Sequence, residues 1–130
     1  MGRLEDRFAV ITGGAGGIGR AIAEAYLVEG AEVLIADLNA KLAGQTAKEL
    51  QRFGKVHAFA CDVTKLNDVQ ALSDEALRVL GKVNVLINNA GLSGRGLISE
   101  IEEDTIDALL NVNLKGVIIC AKVFAPILKD

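Results

Sequence analysis

The sequence predicts an α/β fold, a doubly wound parallel sheet of four strands with helices on both faces. Four short apolar runs recur along the 130 residues, and a helix-like pattern follows each of them. The runs are apolar throughout rather than alternating, which is typical of strands covered on both faces. Because crossovers between parallel strands are right-handed, we expect the strand order 3-2-1-4 in a single domain, residues 1–130.

Each predicted strand is a short apolar run, and each predicted helix has apolar residues at helical spacing. The strands are expected at residues 8–11, 33–36, 56–60 and 85–87. The expected buried positions of the first three helices are Ile18, Ala21, Ile22, Ala25 and Val28, then Leu42, Thr46, Leu50 and Phe53, then Val69, Leu72, Ala76 and Leu80. Gly30, Gly54 and Gly81 are expected to end these helices. A long fourth helix is expected over residues 102–128, with its apolar stripe at Ile106, Leu110, Val117, Cys120 and Phe124.

Composition argues against several classes of partner. The net charge is −3 and no basic block occurs, which argues against nucleic acid or a membrane surface. No apolar stretch approaches the ~20 residues of a membrane span, and the charged N-terminus does not resemble a signal peptide. Cys61 and Cys120 lie far apart and are expected to be buried free thiols, and His57 has no second metal ligand beside it. We therefore expect a cytoplasmic protein without a metal site.

A glycine-rich loop lies between the first predicted strand and the first predicted helix. Residues 14–19 match G-x-G-x-x-G, the pattern of a Rossmann-type dinucleotide site. A bare backbone lets a pyrophosphate approach closely, and the helix N-terminus offers N–H groups and a positive dipole end. The alternative is a tight turn that is glycine-rich only for packing.

Asp37 strengthens the dinucleotide interpretation. It ends the second predicted strand, 18 residues after Gly19, where an acidic side chain accepts hydrogen bonds from the adenosine ribose hydroxyls. A carboxylate there repels a 2′-phosphate, and Gly16 supplies no basic side chain to offset it. The sequence thus favours NAD over NADP. The alternative role for Asp37 is to cap the next helix.

Two groups of asparagines are further candidates. Asn88 and Asn89 follow the fourth strand at its carboxyl end, where ligands bind in open parallel sheets, although a turn with local hydrogen bonds would also use them. Asn113 falls on the apolar stripe between Leu110 and Val117, so we expect a buried amide that needs partners. Spacing alone leaves open whether those partners are structural or catalytic.

Four motifs in order resemble the short-chain dehydrogenase/reductase family, and the resemblance covers the whole chain. They are Thr12-Gly13-x-x-x-Gly17-Ile18-Gly19, Asp62-Val63, Asn88-Asn89-Ala90-Gly91, and Asn113 in Asn-Leu-Lys-Gly. The resemblance implies that Asp62 and Val63 lie along the adenine ring, that residues 89–91 line the ribose side, and that Val112 touches the cofactor. With the glycine loop and the end of strand two, the expected cofactor-binding set is Gly13, Gly14, Ala15, Gly17, Ile18, Gly19, Asp37, Leu38, Asp62, Val63, Asn89, Ala90, Gly91 and Val112.

The resemblance also implies hydride transfer between nicotinamide and an alcohol or ketone. It makes Asn113 a member of the family's catalytic Asn-Ser-Tyr-Lys set, where it would kink its helix and hold a water in the proton relay. The tyrosine of that set belongs to Tyr-x-x-x-Lys, but the one tyrosine here, Tyr26, is followed four residues later by Gly30. Ser93 has no base beside it. The 130-residue chain alone is therefore expected to be inactive.

Three functions stay open at this point. The chain could represent the cofactor-binding half of an NAD-dependent oxidoreductase, a non-catalytic dinucleotide-binding module, or a self-associating folded fragment. A strand at residues 85–87 would leave an unpaired sheet edge, which invites pairing with another chain. In the family that the motifs resemble, the long helix packs against its twin in another subunit. We therefore expect a homo-oligomer, held by the helix at 102–128 or by that edge.

Overall fold

The computed structural model describes residues 2–128 and contains one parallel sheet, in the order β3-β2-β1-β4. The strands are β1 (Phe8–Thr12), β2 (Glu32–Asp37), β3 (Val56–Ala60) and β4 (Val85–Ile87). In the register of the sheet, Val10 lies beside Leu34 on one side and Leu86 on the other. The predicted fold class and strand order are confirmed.

Helices connect the strands and cover both faces of the sheet. They are α1 (Gly17–Val28), α2 (Ala40–Leu50), α3 (Leu66–Leu80), α4 (Glu103–Leu110) and α5 (Gly116–Phe124). Short 3-10 turns occur at Gln51–Phe53 and Ile98–Glu100, and a π-helical turn, Asn111–Lys115, joins α4 to α5. Within residues 2–128, no helix combines the length and the apolar character that crossing a bilayer requires.

Two cores lie on opposite faces of the sheet because successive strand residues point to opposite sides. Ile11 and Ile35 belong to the core that α1 and α2 cover. Val10 and Leu34 belong to the core that α3 and α5 cover, together with Phe124. The central strands are thus buried on both faces, which explains their continuous apolar runs.

The buried face of α1 differs from the predicted one. Ile18 and Val28 are 74% and 61% exposed, whereas Gly19, Ala23 and Leu27 face the sheet. Small residues at positions 19 and 23 let the helix approach β1 closely, and that contact sets the rotation of α1. The prediction for α3 is confirmed, since Val69, Leu72, Ala76 and Leu80 are all buried.

The predicted helix at 102–128 is in fact two α-helices joined by a π-helical turn, and it ends at Phe124. No residue of α4 is buried, and Ile106 and Leu110 are exposed, whereas α5 buries Cys120 and Phe124. The expected stripe is therefore wrong in its first half. Beyond the helix, Leu128 forms an isolated parallel bridge with Val83.

Candidate functional site

A cleft of about 640 Å³ opens at the carboxyl edge of the sheet. Every strand contributes to it through the segment that follows its last residues, which is where ligands bind in open parallel sheets. The residues that line it are Gly13, Gly16, Gly17, Ile18, Asp37, Leu38, Leu42, Cys61, Asp62, Val63, Asn89, Ala90, Gly91, Leu92 and Val112.

The glycines of the β1–α1 loop serve two different purposes. No described atom lies within 4 Å of the position that a Cβ on Gly17 would take, and Gly17 has a φ of 53°. A Cβ on Gly19 would instead lie 2.2 Å from the Gly13 carbonyl oxygen, and one on Gly14 would lie 2.8 Å from Ile35 Cβ. Gly17 therefore leaves open space at the cleft, whereas Gly14 and Gly19 allow close packing of the loop.

The first turn of α1 suits an anionic group. Its N-cap is Gly16, which has no side chain to accept from the helix N–H groups, and the first turn holds no acidic residue. The positive dipole end of α1 is therefore directed at the cleft without local neutralisation. The loop and the helix end fit a pyrophosphate.

Asp37 lies between the glycine loop and the start of α2. Its Oδ2 accepts a hydrogen bond from the Ala15 N–H (3.1 Å), and its Oδ1 accepts one from the Asn39 N–H (3.0 Å). The cap of α2 is Asn39, whose Oδ1 accepts from the Leu42 N–H at 3.0 Å. Asn39, and not Asp37, therefore caps α2.

Asp62 and Val63 form the part of the cleft that follows β3. Asp62 Oδ1 accepts hydrogen bonds from the Thr64 hydroxyl (2.7 Å) and the Thr64 N–H (3.0 Å). These bonds, the hydroxyl bond foremost, lower the pKa of the Asp62 carboxyl. The lowered pKa favours the ionised form of Asp62, which lies beside the apolar Val63.

Cys61 lies beneath this part of the cleft and is 4% exposed. Burial, with a smaller contribution from Cys120, raises the pKa of the Cys61 thiol to about 12. Because the thiolate is the reactive form, this thiol is an apolar contact surface rather than a nucleophile.

Asn89 ties the end of β4 to the glycine loop. Its Nδ2 donates to the carbonyl oxygens of Thr12 and Gly13, both at 3.1 Å, and the Thr12 hydroxyl accepts from the N–H groups of Asn89 (3.1 Å) and Ala90 (3.0 Å). These bonds reach across to the neighbouring strand rather than closing a local turn. The segment 89–91 is thereby fixed against the loop.

Asn113 lies in the π-helical turn, and its side chain is exposed rather than buried as expected. Its Oδ1 accepts from the Leu92 N–H (2.8 Å) and its Nδ2 donates to the Leu92 carbonyl oxygen (2.7 Å). The π-helical turn directs this amide at the exposed loop after β4 instead of at the core. Asn113 lies outside the cleft lining, whereas its neighbour Val112 contributes to it.

A sequence model of the short chain dehydrogenase family matches residues 7–130. The chain belongs to the short-chain dehydrogenase family. An uncharacterized oxidoreductase, YxbG of Bacillus subtilis (strain 168), is 38% identical over 132 residues, which cover 100% of this chain and 48% of that protein.

Solved structures of short-chain dehydrogenases superpose closely on the chain. One from Mycobacterium smegmatis has a TM-score of 0.93 and 34% identity, covering 98% of this chain and 54% of that one. Another, from Burkholderia phymatum in complex with NAD, has a TM-score of 0.91 and 36% identity, covering 98% and 46%. The chain thus spans about half the length of these short-chain dehydrogenases.

Most residues that line the cleft are predicted from the sequence, but Leu42, Cys61 and Leu92 are not. Leu42 is predicted on the buried face of α2, yet it lines the cleft with Cys61 and Leu92. Its place three residues after the capping Asn39, in the first turn of a helix that begins at the cleft, is the signal that could have found it. Conversely, Gly14, Ala15 and Gly19 are buried behind the lining.

Proposed function

We propose that residues 1–130 form the dinucleotide-binding domain of an NAD-dependent oxidoreductase that transfers hydride between nicotinamide and an alcohol or ketone. The observation that carries the proposal is the meeting, in one cleft, of a bare loop, a helix N-terminus without an acidic neighbour and the carboxylate of Asp37. The similarity to a short-chain dehydrogenase in complex with NAD supports it. When bound, NAD would supply the nicotinamide that takes or gives the hydride.

The lining divides by chemistry along the cleft. Gly13 after β1, with Gly17 and Ile18 at the start of α1, binds the pyrophosphate. Asp37 at the end of β2 and Leu38 after it bind the adenosine ribose, and Asp62 with Val63 holds the adenine. Residues 89–91 line the ribose side, and Val112 contacts the cofactor. Gly14, Ala15 and Gly19 act from behind the lining by shaping the loop, the glycines through close packing and Ala15 through its hydrogen bonds.

We propose NAD as the preferred cofactor because the carboxylate of Asp37 repels a 2′-phosphate and Gly16 carries no basic side chain to attract one. Titration calorimetry of the 130-residue protein with NAD and with NADP tests this preference. NAD is expected to bind more tightly. Equal affinity, or tighter binding of NADP, contradicts the proposal.

For the chemistry, the family pattern gives Asn113 a catalytic role, and its hydrogen bonds to Leu92 hold the loop that follows residues 89–91. The 130-residue chain lacks the Tyr-x-x-x-Lys pair, and Tyr26 packs against the core between α1 and the sheet. We therefore propose that this polypeptide binds the dinucleotide without turning over substrate.

We propose a homo-oligomer held by the segment at 102–128, which contains α4, the π-helical turn and α5. Exposed apolar side chains occur in each of these three parts, namely Ile106, Leu110, Leu114 and Ile118. Light scattering at micromolar concentration is expected to detect an oligomer that Ile118→Glu dissociates, whereas Val28→Glu, which changes an exposed apolar residue of α1, leaves it intact. Persistence of the oligomer in Ile118→Glu would point to the β4 edge instead, and a monomeric wild-type protein would contradict the proposal.

We propose the cytoplasm as the compartment of this protein. Within residues 2–128, Cys61 and Cys120 are free thiols, which suits a reducing environment. Fractionation of cells that express the chain tests this location, and recovery outside the cytoplasmic fraction contradicts it.

A further inference from the structure

We infer that Thr46 is a positioning residue for the dinucleotide, although it lies behind the cleft, because it fixes the glycine loop through Ala15. This inference rests on the proposed function. The Thr46 hydroxyl donates to the Ala15 carbonyl oxygen at 2.6 Å, and the Ala15 N–H donates to Asp37 Oδ2 at 3.1 Å. The backbone N–H and carbonyl of Ala15 are thus held by the last residue of β2 and by α2. We call this arrangement of Ala15, Asp37 and Thr46 the Ala15 clamp.

The clamp is buried at its centre. Ala15 and Thr46 are each 1% exposed. A threonine hydroxyl in a helix interior ordinarily bonds a carbonyl of its own helix, or faces water. Thr46 instead donates to a different segment, 31 residues away in sequence. Valine would fill the same volume among Ala43, Ala47 and Leu50 of α2. The hydroxyl is therefore explained by the loop rather than by packing.

Peptide geometry carries the effect of Thr46 to the cleft. The Ala15 carbonyl and the Gly16 N–H belong to one planar trans peptide unit, so they point in opposite directions. When Thr46 holds the carbonyl, the Gly16 N–H is held pointing away from α2. Gly16 and Gly17 line the cleft, and glycines lose more conformational freedom on ordering than any other residue. If the loop is already ordered in the free protein, ligand binding does not have to order it, so this loss of conformational entropy does not weaken the affinity.

The clamp also gives Asp37 a second task. In the free protein its Oδ2 already holds the loop, so replacing Asp37 removes a ribose acceptor and loosens Ala15 at once. Replacing Thr46 loosens only the loop and leaves the carboxylate in place. Thr46 variants therefore separate loop positioning from ribose recognition.

The test uses Thr46→Val, Thr46→Ser and, as control, Ser73→Ala, which removes a hydroxyl buried in α3 on the opposite face of the sheet. Amide hydrogen exchange by NMR is measured at Ala15 and Gly16 in the free protein, and NAD affinity by calorimetry at a temperature where each variant is folded. We expect Thr46→Val to speed exchange at the hydrogen-bonded Ala15 amide and to weaken NAD about three- to tenfold, the worth of one ordinary hydrogen bond. Thr46→Ser should restore most of the affinity, and Ser73→Ala should change neither quantity.

Unchanged exchange in Thr46→Val, an equal loss of affinity in Ser73→Ala, or failure of serine to rescue would overturn the inference. If Thr46→Val does not fold, the wild-type protein still decides the matter, because rapid exchange of the Ala15 N–H would exclude the clamp. Absence of NAD binding by the wild-type protein, with slow exchange at Ala15, would contradict the proposed function while leaving the clamp as a structural feature only.

Discussion

Gly17→Ala is predicted to abolish most NAD binding while leaving the protein folded. The φ of Gly17 is 53°, in the left-handed region, where a side chain costs roughly 1–2 kcal/mol. That cost is small beside the total stability of an ordinary domain, about 5–15 kcal/mol. The new methyl group would point into open space at the cleft, since no described atom lies within 4 Å of it. It would occupy volume that the pyrophosphate needs.

The size of the binding loss follows from the contacts at the start of α1. A hydrogen bond to a charged group contributes roughly 1.5–3 kcal/mol, so displacement of the pyrophosphate from one N–H weakens NAD by about tenfold or more. Gly19 is not equivalent to Gly17. A Cβ there would lie 2.2 Å from the Gly13 carbonyl oxygen, so Gly19→Ala would force the loop and α1 apart and reduce stability as well.

Gly81→Ala is the matched control for Gly17→Ala. Gly81 has a φ of 82° and follows α3, before β4 and away from the cleft, again with no described atom within 4 Å of an added Cβ. Urea unfolding should give both variants a similar loss of stability, whereas calorimetry should detect weak NAD binding only in Gly17→Ala. If the two folded variants bound NAD equally well, the assignment of the loop to the pyrophosphate would be refuted.

Three further predictions follow from the site. Asp37→Ala should weaken NAD by about 1–3 kcal/mol and reduce its advantage over NADP, which calorimetry measures; an unchanged preference would contradict the role of the carboxylate. Thr64→Val should raise the pKa of the Asp62 carboxyl because the hydroxyl bond that stabilises the ionised form is lost, and carbon NMR titration of Asp62 should detect the change. Because the pKa of Asp62 is lowered in the folded protein, its ionised form stabilises the fold at pH values above the pKa of the same carboxyl in the unfolded chain. This stabilisation is lost as the pH falls through the folded-state pKa. Thr64→Val should therefore make the free energy of unfolding depend less on pH in this acid range. The pure 130-residue protein should form no NADH with secondary alcohols or hydroxyacyl thioesters; clear turnover would require another group to accept the proton of the substrate hydroxyl, with Ser93 and Lys115 the first candidates.

The sheet could be predicted because its physical causes are local and redundant. Residues 8–11 and 33–36 are apolar at every position, and burial on both faces explains such continuous runs. The roles of the glycine loop and of Asp37 could also be predicted from the sequence. A close approach of a pyrophosphate to the backbone needs glycine, and the hydroxyls of a ribose need a hydrogen-bond acceptor. Their meeting in one cleft follows from the parallel order of the strands.

Rotation and local geometry of helices were harder to predict. Ile18 looked like a core residue, but Gly19 and Ala23 determine which face of α1 meets the sheet, and Ile18 faces the cleft instead. A spacing of 3.6 residues does not extend through a π-helical turn, so a single stripe from Ile106 to Phe124 gave the wrong environment for Asn113. The sequence does not predict the Ala15 clamp, because Thr46 also fits the apolar stripe of α2.

The most direct test of the central claim, that the cleft at the carboxyl edge binds NAD, is an NMR titration of the 130-residue protein with NAD. Saturable amide shifts are predicted at the start of α1 (Gly16 and Gly17) and after β2, β3 and β4, at Leu38, Val63 and Ala90. Amides at the opposite edge of the sheet, such as those of residues 30 and 81, should not move. Absence of saturable shifts, or shifts confined to that opposite edge, would contradict the account.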